Sequence, residues 1–118
     1  MYSEKVLDHF HHPRHVGEIG DASAVVETTN PVCGDTLKLW VKLEGTIVVQ
    51  ATFKAQGCVP AIACGSWLAD WLIGKEICNI QSLPSGAIEA SLGGMPPASR
   101  HAAALAAECL NRLLRRIC

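Results

Sequence analysis

Residues 36–56 constrain the fold more than any other stretch. Leu37, Leu39, Val41 and Leu43 alternate with Lys38, Trp40 and Lys42, the period of a half-buried strand. Glu44-Gly45 supplies a tight turn, and Ile47, Val49, Ala51 and Phe53 continue the alternation on a return strand. Upstream, "ASAVVETTN" is rich in β-branched residues and reads as a strand of its own. Three consecutive antiparallel strands, a meander, are the economical arrangement. Such a sheet has one apolar face and needs a cover.

Helices supply that cover. "YSEKVLDHFHHPR" reads as a short helix with Val6, Leu7 and Phe10 on one stripe, ended by Pro13. Pro60 suits a helix's first turn, and "AIACGSWLADWLIG" follows, with Trp67/Trp71 and Leu68/Leu72 as core pairs. Gly74 stops it. Two short helices broken at Leu83-Pro84 come next. After Pro96-Pro97 a long helix carries Leu105, Cys109 and Leu113 on one stripe, with Leu110, Leu114 and Ile117 beside it. Arg112, Arg115 and Arg116 fall in its last turns, where the helix dipole favours cations. The expected class is α+β: a three-stranded antiparallel meander with helices on one face, in a single domain over residues 1–118.

Composition narrows the function. A net charge of −1 gives no electrostatic footprint for nucleic acid. The N-terminal "MYSEKVLDHF" lacks the apolar stretch of a signal peptide, and no apolar run is long enough to span a bilayer. A cytoplasmic protein is expected. In that reducing setting six cysteines, with no CxxC among them, read as metal ligands, reactive thiols or small buried hydrophobes.

Three chemistry-bearing residues fall at the ends of elements. Cys33 lies in the turn "NPVCGD", Cys58 follows Gly57 at the mouth of a helix, and His101 opens the last helix. A helix N-terminus is expected to lower the pKa of a thiol beside it and favour the metal-binding thiolate. Asp35, two residues beyond Cys33, adds an oxygen. Two thiolates, an imidazole and a carboxylate suit tetrahedral zinc or iron. The spacing alone leaves open a bland reading of turn cysteines and a core histidine.

These motifs resemble the iron–sulfur cluster assembly scaffolds of the IscU / NifU N-terminal-domain type, over nearly the whole chain. "YSEKVLDHFHHPRHVG" is similar to the family's opening segment, "NPVCGD" to its first cysteine motif, and "GCVPAIA" to its second. "PPASRHAAALA" stands where the family has Pro-Pro-Val-Lys-Leu-His-Cys-Ser. The resemblance implies a non-enzymatic scaffold or carrier that holds a transient [2Fe–2S] cluster on Cys33, Asp35, Cys58 and His101. It implies sulfur delivery by a cysteine desulfurase, transfer to apo-proteins, and zinc as a competing metal at the same ligands. It implies a monomer or weak homo-oligomer.

Two departures matter. The family's third cysteine is Ala102 here, so the usual sulfur-accepting thiol is missing. The lysine of its chaperone-recognition segment is Ser99, which puts handling by an Hsp70-type chaperone in doubt. Cys109 is seven residues past Ala102, roughly 10 Å along a helix, and reads as packing. Cys64 points away from Cys58 on a helix, leaving only a sulfur relay as a chemical role; Cys78 and Cys118 read as packing or surface residues. "HFHHPRH" reads as a surface for the desulfurase rather than a metal tract. Two other functions stay open: a zinc-binding regulator of a desulfurase, and a thiol enzyme with Cys58 as nucleophile and His101 as base.

Overall fold

A computed structural model describes residues 2–31 and 34–118. Its helices are α1 (Glu4–His11), α2 (Val59–Leu72), α3 (Ser85–Ser91) and α4 (Arg100–Ile117). Its strands are β1 (Ala24–Thr29), β2 (Thr36–Glu44) and β3 (Ile47–Gln56), with short 3-10 turns at Ile77–Asn79 and Pro97–Ser99. The strands pair antiparallel in the order β1-β2-β3, the expected meander. The α+β class holds, with α2 packed on β3 and β2, α4 on β1 and β2, α1 on α2, and α3 on α4.

Leu37, Leu39 and Val41 turn inward with Val26 and Phe53, against Leu68 and Leu72 of α2 and Leu110 and Leu113 of α4. Gly65 sets how closely α2 approaches the sheet. A Cβ there would lie 2.7 Å from the Phe53 ring and 2.8 Å from a Leu37 methyl.

The return strand departs from the alternation. The register slips between Lys42 and Leu43: Lys42 faces Gln50 while Leu43 faces Val48, leaving Val49 as the extra residue of a bulge. Val48 is therefore fully buried, and Ile47 and Val49 are exposed. One inserted residue moves every side chain beyond it to the opposite face.

Both ends of the outer β3 edge are covered. Gly17 and His15 bond to Phe53, while Gly74, Lys75 and Ile77 bond to Val48 and Thr46. Ser3 caps α1 through Val6 N–H at 3.1 Å and donates to the Leu92 carbonyl, so Val6 is buried whereas Leu7 is not. Trp67 and Trp71 stack with ring centroids 5.7 Å apart at the margin of the core rather than inside it.

One further expectation needs correction. Cys78 and Cys118 form a disulfide across 40 residues, tying the end of α4 to the 3-10 turn after α2. They are neither free surface thiols nor packing residues. The basic end of α4 is exposed, with surface ion pairs along it. Arg112 and Arg115 both pair with Glu108, and Arg112 donates to the Glu27 carbonyl at 3.0 Å. Among the described residues, no helix is long and apolar enough to cross a membrane.

Candidate metal centre

Each side chain of the site is delivered by the end of an element. Asp35 closes the loop between β1 and β2: Asn30 N–H bonds the Asp35 carbonyl at 2.8 Å, and Gly34 N–H bonds back to the Asn30 carbonyl at 2.7 Å. Gly34 takes φ +74°, which lets the chain double back within so few residues. Cys58 is the N-cap of α2, and Pro60 lies in the first turn of that helix. His101 lies in the first turn of α4.

The three meet. Cys58 Sγ donates to Asp35 Oδ2 at 3.3 Å, His101 Nε2 lies 3.2 Å from the same oxygen, and Nε2 is 3.7 Å from Sγ. Among the described residues this is the one group of three or more potential ligand side chains within 4.8 Å of one another. Cys33 lies outside the described residues.

The triangle has the size of a metal face. Donors bonded at about 2.0–2.3 Å to one tetrahedral ion stand about 3.3–3.8 Å apart. The observed separations match that range with one soft, one borderline and one hard donor, so the residues present fit zinc or iron.

A partner outside the triangle orients the imidazole. Nδ1 stands 3.1 Å from the Ala98 carbonyl, which can only accept, so Nδ1 donates there. That contact turns Nε2 toward Cys58 and Asp35, the orientation of a ligating histidine. Sequence reasoning missed Ala98, although its three-residue spacing before His101 was a usable signal. It also missed Glu89, which pairs with Arg100 at 3.3 Å in a shallow cleft that includes His101.

Cys58 corrects an expectation. Its thiol pKa is raised, not lowered: burial leads, and the hydrogen bond and charge of Asp35 add to it against the Ala61 N–H. The helix terminus acts as foreseen but loses to desolvation and a carboxylate. A bound cation would reverse that balance by its own charge. Cys64 and Cys109 are buried and pushed up to about 12, so both stay protonated at neutral pH and act as packing residues. Ala102, the position after His101, is fully buried.

The histidines of "HFHHPRH" do not converge on a metal site. His9 Nδ1 meets Ser66 Oγ at 2.8 Å, His15 Nε2 meets Asp70 at 3.0 Å, and Arg14 pairs with Asp8. His9 fastens α1 itself to α2, and His15 fastens the segment after α1 to the same helix.

Known proteins resemble this chain over nearly its whole length. Residues 1–116 match the model of the NifU-like N terminal domain. Iron-sulfur cluster assembly scaffold protein IscU 1 of Archaeoglobus fulgidus is 39% identical over 97% of this chain and 74% of its own. The IscU scaffold protein of Aquifex aeolicus is 40% identical over 93% of this chain and 71% of its own. A solved structure described as a candidate scaffold for the SUF system of Fervidobacterium islandicum superposes with a TM-score of 0.74. It has 23% identity and covers 96% of both chains, a likeness in fold.

Proposed function

The chain belongs to the NifU-like N-terminal domain family, and on that premise we propose that it is an iron–sulfur cluster scaffold or carrier. The observation that carries the reading is the convergence of Asp35, Cys58 and His101 from three separate elements. Cys33, two residues before Asp35 in sequence, is the fourth ligand of this reading. The cargo is iron and a labile [2Fe–2S] cluster, with sulfur from a cysteine desulfurase and apo-proteins as acceptors. The 1–118 chain acts as one unit.

Mixed ligation suits a carrier. Clusters are most at home on four thiolates. Asp35 is a harder and poorer donor, so exchange begins at its side of the site. His101 is released on protonation. Cys58 is the anchor, and its half-buried position protects the cargo on one side. Zinc competes for the same donors, being favoured over ferrous iron at nitrogen and sulfur sites.

One observation favours a second reading. Ala102 offers no thiol where the resemblance places one, and its burial leaves no room for an external sulfur donor there. A zinc-binding regulator of the desulfurase would need no such thiol.

Anaerobic reconstitution with ferrous iron and sulfide, followed by incubation with an apo-ferredoxin, separates the two. The scaffold reading expects a coloured protein whose cluster moves to the ferredoxin, more slowly from Ala102→Cys. Binding of a desulfurase with no cluster formed and none transferred would establish the regulator instead.

A further inference from the structure

Gly57 stands beside the site and has no role in the ligand set. Its φ is +139°, a conformation that side chains rarely adopt. A Cβ at this position would fall 2.5 Å from Asp35 Cγ, nearer still to Oδ1, and 3.0 Å from Asp35 Cβ. The Asp35 carboxylate therefore rests directly on the bare Cα of residue 57.

Neither backbone can retreat. Thr36 pairs with Gln56 in the sheet, so the residues just outside that pair, Asp35 and Gly57, are held opposite one another. Asp35 is tied again by its carbonyl to Asn30 N–H. Asp35 is 5% exposed, so its carboxylate has little solvent to swing into. Any side chain at residue 57 would displace the carboxylate and not the backbone. The lost position is the one from which Oδ2 reaches both Cys58 Sγ and His101 Nε2.

We propose that Gly57 is a positioning residue for Asp35: its missing side chain is the space in which the carboxylate becomes a metal ligand. The inference rests on the metal-site reading above and adds the residue that sets its hard donor. It also gives the Gly-Cys pair a divided role, with residue 58 supplying sulfur and residue 57 admitting oxygen.

Cobalt(II) titration followed by absorption tests it on wild type, Gly57→Ala, Asp35→Gly and the double variant. Cobalt reports the thiolate through charge transfer and the coordination geometry through its d–d bands. Gly57→Ala and Asp35→Gly should each weaken cobalt binding at least about tenfold, shift the d–d bands alike and keep the thiolate band. The double variant should bind within about threefold of Asp35→Gly alone, since mutations acting through one group are not additive. Further loss beyond that, or a Gly57→Ala protein that binds as wild type does, overturns the role of Gly57 and leaves the metal site standing. Wild type that fails to bind cobalt, or binds it no better than Asp35→Gly, overturns the reading beneath it as well. Circular dichroism and thermal melting check the fold. If Gly57→Ala does not fold, recovery of folding in the double variant supports the clash with Asp35. Failure of both assigns the defect to the backbone and overturns the proposal.

Discussion

Cys58 is where the chemistry of single residues is most sharply set. Burial and the neighbouring carboxylate hold its thiol protonated, while a metal ion demands the thiolate. In the metal-free protein, the alkylation rate at Cys58 should therefore reach half-maximum above the ordinary thiol pKa of about 8.5. Asp35→Asn removes an acceptor and a negative charge, both of which favour the S–H form. That half-point should move down, as read by iodoacetamide labelling and peptide mass analysis; an upward move would mean that Asp35 does not face the thiol. The identity of Cys58 was legible in "GCVPAIA", and Asp35 and His101 were legible with it. The sign of the thiol's shift was not. Helix position can be read from sequence, but desolvation and a carboxylate 23 residues away exist only once the chain is folded.

Elements meet through contacts that no periodicity encodes. Gly65 sits in the middle of α2, where alanine would ordinarily gain about 1 kcal/mol of helix propensity. Its missing Cβ is occupied by Phe53 and Leu37, and overpacking a core costs about 1–3 kcal/mol. The second effect is the larger, so Gly65→Ala should lower stability in urea unfolding; a stabilised variant would show that α2 can lift from the sheet at little cost. The helices and strands themselves were legible because hydrophobic spacing differs between them. The bulge at Val49 was not, because "TIVVQATF" offers an apolar residue at each of Ile47, Val48 and Val49, and either phase of the alternation reads equally well. The choice falls to Val48, which lies in the core cluster while its backbone bonds to Lys75 and Gly74.

Across the whole molecule, cysteines contribute to stability in two opposite ways. The Cys78–Cys118 bond closes a 40-residue separation, and reduction should cost about 2–4 kcal/mol, lowering the thermal midpoint. Melting with and without a phosphine reductant, beside intact-mass measurement, checks this; equal midpoints for the two redox forms would count against the bond. This pairing was illegible in sequence, since neither cysteine has a motif and they meet only through the packing of α4. Cys64 and Cys109 act through their protons. Their folded pKa values of about 12 exceed the unfolded value, so their stabilisation is complete below about pH 8.5 and is lost as pH rises toward 12. Each buried thiol should remove up to about 1.4 kcal/mol per pH unit across that window. Cys109→Ala should flatten the fall in urea stability between pH 9 and 10; an unchanged slope would place the titrating group elsewhere.

X-ray absorption at the zinc edge of the zinc-loaded protein bears most directly on the shared grip of Asp35, Cys58 and His101. A four-coordinate ion should appear, with sulfur at about 2.3 Å and nitrogen or oxygen at about 2.0–2.1 Å, and Cys58→Ser should lose one sulfur scatterer while His101→Ala loses the imidazole signature. A sulfur shell that is unchanged in Cys58→Ser, or a spectrum indifferent to His101, would contradict the site.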